Sequence, residues 1–234
     1  MKKTIAILKK QILDTLKNTS VLLQFFMFPI LAFILTKTIG ENIGDLPNNY
    51  FIIMFSSMYV GMSPAVAMES IISEEKEKGT LKNLLMNNVK PGEYLTGVGV
   101  YVFIMCLIGT SIFAYAGGYN GNEILLYFVI MIFGILASML LGASIGIISK
   151  NQMSGHSIVI PITIMFAFLP LISTYNKKIA SISKFIYSQR IQDMLSDFKI
   201  TEGMSGDLMI VSLNIFILLF TFAYFYKNKF IYND

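Results

Sequence analysis

The sequence predicts an all-α, polytopic membrane protein, as its composition and the spacing of its apolar residues both indicate. Of its 234 residues, 55% are hydrophobic and 14% are charged, whereas an ordinary soluble domain has about 25% charged residues. The mean hydropathy is +0.66. The apolar residues fall in blocks of about 18 to 25, the length that crosses the hydrocarbon core of a bilayer. We therefore expect a single transmembrane domain over residues 1–234.

Six blocks are long and apolar enough to be spans: residues 21–39, 50–68, 94–116, 124–148, 158–175 and 208–226. The first is preceded by mostly polar residues and lacks a small-residue cleavage site, which disfavours a removable signal peptide. An even number of spans places both termini on one side of the membrane. That side would hold twelve of the 18 basic residues: Lys2, Lys3, Lys9, Lys10, Lys17, Lys76, Lys78, Lys82, Lys90, Lys150, Lys227 and Lys229. Because basic flanks stay inside, we expect both termini in the cytoplasm.

The segment before the first span has the pattern of an amphipathic helix. Wound as a helix, residues 2–17 place four apolar side chains on one face: Ile5, Leu8, Ile12 and Leu16. Lysines recur every seven residues on roughly the opposite face: Lys3, Lys10 and Lys17. This pattern predicts a helix in the membrane surface, with the lysines attracted to anionic lipid headgroups. The alternative is a plain cytoplasmic lead-in.

The loop between the second and third spans, residues 69–93, is the most informative stretch. Glu74 precedes Lys78 by four residues, the favourable order for an ion pair on a helix that extends the second span. Gly79 is suited to end that helix in a left-handed conformation, and Thr80 to cap the next one. Pro91 then stops the segment before the third span.

After that cap, three leucines form a short apolar stripe: Leu81, Leu84 and Leu85. The sequence offers no obvious partner for this stripe, and an uncovered apolar face indicates an external partner. The charged run by itself is equally typical of a solvated loop. Its position between two spans, followed by a capped apolar turn, favours a displayed helix.

These features together resemble a known family. A surface helix leads into a span with the sequence FFMFP at residues 25–29, and the run ESIISEEKEKGTLK at residues 69–82 follows the second span. In both respects the chain resembles the permease subunits of ABC-2 type transporters, which include exporters of amphipathic peptide toxins. The resemblance implies an elbow helix over residues 1–19, six spans, and a coupling helix that docks in a groove of a separate ATPase subunit.

The resemblance also implies an assembly of two ATPase subunits with two permeases, the second being another copy or a paralogue. The residues it assigns to ATPase coupling are Glu74, Glu75, Lys76, Glu77, Gly79, Thr80, Leu81, Leu84 and Leu85. Leu84 would fill the groove of the partner, and the three glutamates would meet basic residues at its rim. Lys3, Lys10 and Lys17 would belong to the elbow helix.

Enzymatic and metal-binding functions find little support in the sequence. It contains no G-x-x-x-x-G-K-[ST] phosphate loop, so ATP and Mg²⁺ are expected in the partner ATPase and no cofactor in this chain. His156 and Cys106 are the sole histidine and cysteine, which disfavours a metal cluster or a Ser-His-Asp triad. An intramembrane protease using Glu74 and Glu75 would need a second histidine. We expect no catalytic residues and no nucleic-acid partner.

The predicted spans contain few ionisable side chains, which argues against an ion-coupled carrier. In the fourth span, small residues recur every four positions: Gly134, Ser138, Gly142 and Gly146. Such a face permits close packing of helices, either within the chain or at a dimer interface. Pro161 and Pro170 in the short fifth block predict a broken or re-entrant span.

The long loop of residues 176–206 is predicted to form one or two short amphipathic helices that cap the outer mouth. Four apolar residues share one helical side of it: Ile179, Ile182, Phe185 and Ile186. In the family that the chain resembles, such a loop gates the exit. The expected function is export of an amphipathic peptide or lipophilic compound across a bacterial plasma membrane. A non-transporting immunity or sensor protein, or export of an antibiotic or sodium, are the alternatives.

Overall fold

The computed structural model describes residues 2–17, 19–40, 49–197 and 202–231, and it is built of helices. In chain order these are α1 (Lys2–Lys17), α2 (Thr19–Leu35), α3 (Tyr50–Glu77), α4 (Thr80–Met86), α5 (Pro91–Ala116), α6 (Asn122–Ile148), α7 (Gln152–Tyr175), α8 (Lys177–Ser183), α9 (Tyr187–Asp197) and α10 (Glu202–Phe225). Single π-helical segments continue α2 over Thr36–Gly40 and α10 over Tyr226–Ile231. The described residues contain no strand.

Six candidate membrane spans lie within the described residues, which confirms the all-α, polytopic fold class. They belong to α2, α3, α5, α6, α7 and α10, in the order that the sequence predicts. Helix α3 continues past the apolar block to Glu77, as the Glu74–Lys78 spacing and Gly79 predict. Its 28 residues make a helix about 42 Å long, more than the roughly 30 Å of a hydrocarbon core.

Helix α3 is the centre of the bundle, because it packs against α2, α4, α5, α6, α7 and α9. Pro64 lies inside it and removes one backbone hydrogen-bond donor. The next amide, at Ala65, donates to Ser138 Oγ at 3.1 Å, so α6 accepts a hydrogen bond from the interrupted helix. The proline is therefore accommodated by a hydrogen bond to a neighbouring helix.

The small face of α6 packs against α3 within the chain. A Cβ added at Gly142 would lie 2.0 Å from the Ala65 carbonyl oxygen, and one at Gly146 would lie 2.9 Å from Ile72 Cβ. A Cβ added at Gly134 would lie 3.0 Å from Val60 Cβ and 3.1 Å from Ile191 Cγ1. All four small residues, Gly134, Ser138, Gly142 and Gly146, are buried in the single chain. Their packing is internal, so they are not exposed for a dimer contact.

The fifth span is one continuous helix, α7, although it contains Pro161 and Pro170. The prediction of a broken or re-entrant fifth span is therefore wrong. The segment that enters the bundle is α9 instead, where Ile191 and Leu195 are fully buried. The Tyr187 hydroxyl donates to the carbonyl of Val60, the eleventh residue of α3, at 3.3 Å.

Part of the predicted outer loop remains at the surface. Ile182 and Phe185 are exposed, whereas Tyr187 to Leu195 pack inward. Arg190 ties α9 to the start of α10, because its Nη1 lies 3.0 Å from Asp193 Oδ2 and 2.9 Å from Asp207 Oδ1. The loop thus forms two short helices, and the second contributes to the core. Residues 198–201 of this loop lie outside the described residues.

Candidate functional site

The candidate site lies where the end of α3 projects beyond the predicted span and turns into α4. Three consecutive side chains of α3 contact three other helices: the C-terminus of α6, the N-terminus of α7 and the middle of α1. Lys76 Nζ donates to the carbonyl oxygens of Ile147, at 2.7 Å, and of Ser149. A cation is favourable there, because the C-terminus of a helix carries partial negative charge.

The two acidic neighbours of Lys76 complete this set of contacts. The Glu77 carboxylate accepts from the backbone amide of Gln152, at 2.8 Å, at the positive N-terminus of α7. The buried Glu75 carboxylate accepts from Lys10 Nζ and Gln11 Nε2 of α1, both at 2.5 Å. The end of α3 is therefore bonded to α6, α7 and α1 at once.

These contacts change the roles expected of the glutamates. Glu74, Glu75 and Glu77 are expected at the rim of a partner's groove, but Glu75 is buried against α1 and Glu77 binds α7. Glu74 is bonded to Lys78, as its spacing predicts, and this hydrogen bond and charge raise the pKa of the Lys78 amine. Glu74 pairs with Lys78 rather than with another helix, and its side chain stays partly exposed.

One residue in the left-handed region stands at each end of α4. Gly79 has φ +67°, as predicted, but Gly79 is itself the N-cap and Thr80 is the first helical residue. The cap prediction for Thr80 is therefore wrong. At the other end Asn88 has φ +60°. Its amide donates to the Leu85 carbonyl and that of Val89 to the Leu84 carbonyl, the hydrogen-bond pattern of a Schellman motif.

The predicted apolar stripe of α4 is turned toward the chain itself. Leu81 is 6% exposed, and Leu84 and Leu85 are partly buried against the core. The expectation of an uncovered leucine face is wrong, because the α3 extension and its neighbours provide the cover. The outward side of α4 carries Lys82, Asn83 and Met86, and Met86 is 65% exposed. The sequence already indicates that Met86 shares a helical side with Lys82, because the two are four residues apart.

Helix α1 packs its partly polar side on α5 and on the end of α3. Ile7, Gln11 and Thr15 are buried, and a Cβ at Gly97 of α5 would lie 2.9 Å from Ile7. Ile5 and Ile12, on the predicted apolar face, are exposed. This leaves the apolar side free to face lipid while the helix is anchored by its other side.

Two lysines of the predicted stripe contact protein rather than only solvent. Lys10 binds Glu75, and Lys3 Nζ donates to the carbonyl of Asn88 at the end of α4. The side chain of Lys17 lies outside the described part of the chain. The elbow helix thus contacts both segments of the candidate site, which its heptad spacing alone did not indicate.

A buried acid lies about two turns before Lys76 along α3, beside a histidine of α7. Glu69 is 0% exposed, and its Oε2 lies 3.0 Å from His156 Nδ1 at the start of α7. A Cβ at Gly155 would lie 1.6 Å from Glu69 Oε1, so glycine makes room for the carboxylate. From the sequence, Glu69 is expected at the start of the loop between the second and third spans. Within the described residues, no group of three or more His, Cys, Asp or Glu side chains is arranged to hold a metal.

Comparison with known proteins identifies this architecture. The family model described as ABC-2 type transporter matches residues 2–189, which include α1, the α3 extension and α4. No curated protein matches the chain. The family consists of membrane permeases that work with a separate ABC ATPase, rather than of the ATPases themselves. The chain therefore belongs to the ABC-2 type transporter family and is a multi-pass membrane permease subunit of an ABC transporter.

Proposed function

We propose that this permease is the membrane subunit of an exporter, and that α4 with the adjoining end of α3 receives the ATPase. The observation that supports this most is the set of contacts from Glu75, Lys76 and Glu77 to three different helices. A displacement of α4 would move the end of α3, because a single turn at Gly79 connects them. The adjoining ends of α3, α6 and α7, together with α1, would then move as one unit.

The surface that α4 offers is small, with a basic side chain and an apolar one. Met86 and Lys82 face outward, and Leu84 lies beside them, half-buried. A flexible thioether suits a groove that changes shape during a cycle. We therefore place Met86 at the centre of the ATPase contact and Leu84 at its edge.

Co-purification of the ATPase tests this assignment. Met86→Asp should lower the ATPase recovered per permease about tenfold or more, because a charge would be buried in an apolar contact. Leu84→Asp should act in the same direction. The permease itself should still insert in the membrane, since Met86 is exposed.

Met153→Asp is the matched control, because Met153 is an exposed methionine at the start of α7, near the Glu77–Gln152 contact. It should leave recovery of the ATPase unchanged. Equal recovery with Met86→Asp and the wild type would remove α4 from the contact. A fully functional complex that contains this chain alone would support the non-transporting alternative instead.

For the assembly, we propose two permeases with two ATPases, and both termini in the cytoplasm of a bacterial cell. The orientation is supported by the twelve basic residues on the side of α4 and the termini. The second permease would be another copy of this chain or a paralogue. The mass of the gently purified complex measures both the identity and the number of its subunits.

For the substrate, we propose an amphipathic peptide that enters from the inner leaflet. The apolar, Phe- and Met-rich spans support a lipophilic cargo, and the ionisable pair described above lies at one end of the bundle. ATP-dependent accumulation of a cationic amphipathic peptide in inverted vesicles is the expected result. Movement of sodium without movement of peptide would overturn the choice.

A further inference from the structure

A cavity separate from the α4 site lies between α3, α5, α6 and α10. Its volume is about 400 Å³, and apolar side chains from all four helices line most of it. This size falls in the range of about 300 to 1,000 Å³ that is usual for small-molecule sites. The cavity can therefore accept a ligand of that size, and its lining favours an apolar one.

Three of the four α5 residues that line the cavity are small, which leaves room on that side. Gly92, Thr96 and Gly99 lie one turn apart on α5. A Cβ at Gly99 would find Met139 Cε no closer than 3.8 Å, and one at Gly92 would find the Tyr226 hydroxyl at the same distance. Only an added Cβ would reach contact distance, so the two glycines themselves leave a gap to Met139 and Tyr226.

The cavity reaches the side of the bundle. Thr96 and Leu136, which both line it, are exposed. They belong to α5 and α6, which are both membrane spans, so this opening faces the bilayer. The Thr96 hydroxyl donates to the Gly92 carbonyl at 2.7 Å and so has its polar requirement met. A hydrocarbon chain therefore meets few unsatisfied polar groups on entering.

One end of the cavity lies where basic residues flank the membrane. Gly92 is the second residue of α5, and Tyr226 follows the end of α10. Two exposed lysines adjoin these lining residues in sequence, Lys90 before α5 and Lys227 after Tyr226. The nearby acid, Glu93, accepts from the backbone amide of Lys90 at 3.0 Å and is held at the helix start. This end of the cavity therefore has two basic side chains, Lys90 and Lys227, and one acidic side chain, Glu93.

We propose that this cavity binds one acyl chain of an anionic membrane phospholipid, whose headgroup is held by Lys90 and Lys227. The apolar lining of the cavity would contact the acyl chain. The two lysines at its polar end would bind the negatively charged headgroup. Basic clusters between spans at a membrane surface are typical of such headgroup sites. The site does not depend on the docking of the ATPase at α4.

The charge requirement is tested by the lipid that the full-length permease retains on purification in mild detergent, counted by native mass spectrometry. The wild type should retain an anionic phospholipid in preference to a zwitterionic one. Lys90→Gln with Lys227→Gln should lower the retained anionic lipid about tenfold. Lys9→Gln with Lys150→Gln removes the same charge from other exposed positions and should retain it.

The cavity requirement is tested by filling it. Thr96→Phe should expel the lipid, whereas Val100→Phe, on the same helix and exposed but not in the lining, should not. Circular dichroism and size-exclusion elution establish that each variant is folded. Retention of anionic and zwitterionic lipid in equal amounts would overturn the proposal. So would equal loss in Thr96→Phe and Val100→Phe, or a wild type that retains no phospholipid.

Discussion

Glu69 is buried in the bundle, although the sequence predicts that it lies just beyond the second span. The sequence places it one residue beyond an apolar block, where a charged residue is normally solvated. In the fold, α7 packs over it, and Gly155 leaves the space that its carboxylate occupies. A buried carboxylate needs a compensating partner, and His156 is the ionisable side chain placed beside it at 3.0 Å.

His156→Ala should therefore destabilise the permease. Removing the imidazole leaves Glu69 buried with less compensation, at a cost of roughly 1 to 3 kcal/mol. Thermal unfolding in detergent, followed by the loss of monodisperse protein, measures the effect. Adding Glu69→Gln to His156→Ala should recover part of the loss, because a neutral amide is less costly to bury than a carboxylate.

Two outcomes would contradict an energetic pairing of Glu69 with His156. If His156→Ala unfolds at the wild-type temperature, or if Glu69→Gln adds a further loss instead of restoring stability, the two side chains are not an energetic pair. His156 would then be one more half-exposed residue at the start of α7.

Helix α4 has only seven residues, so its ends determine whether it forms at all. An isolated helix of this length is unstable in water. Here a left-handed residue stands at each end, Gly79 before it and Asn88 after it. The inward leucines then anchor it to the bundle.

Substitutions at Gly79 should follow the ease with which each residue adopts positive φ. Gly79→Asn should retain ATPase binding almost fully, because asparagine tolerates the left-handed region. Gly79→Val should cost about 1 to 2 kcal/mol in that conformation and lower the recovered ATPase. No side chain lies within 4 Å of an added Cβ at this position, so bulk alone does not explain a loss. Equal loss for Asn and Val would exclude a backbone effect.

The order of the spans predicts which exposed residues lie on opposite sides of the membrane. Met86 of α4 and Tyr175 at the end of α7 are both strongly exposed, and an odd number of spans, three, separates them along the chain: α5, α6 and α7. They should consequently lie on opposite sides.

Thiol labelling of intact cells tests this arrangement. A membrane-impermeant maleimide should label Tyr175→Cys from outside, and Met86→Cys only after permeabilisation. Native Cys106 is fully buried and should not react. Ile191→Cys, at a buried position of α9, serves as the unreactive control. Labelling of Met86→Cys in intact cells would reverse the proposed orientation and remove α4 from a cytoplasmic ATPase.

The sequence by itself determined the features that depend on local chemistry and on the bilayer. Six apolar blocks, the helical period of residues 2–17 and the turn at Gly79 each follow from neighbouring residues, and the structure has all three. The family was also recognisable from the run at residues 69–82. A bilayer makes such predictions strong, because every backbone polar group inside it must be satisfied within a helix.

Only the tertiary structure decided which faces these helices bury. The insertion of α9 beside Val60, the burial of Leu81, the contact of Glu75 with α1 and the Glu69–His156 pair all join distant parts of the chain. Periodicity shows that a helix has an apolar or a charged face, but it contains no information about the neighbour that meets it. That neighbour is set by the packing of α3 against six other helices, which is a property of the assembled bundle.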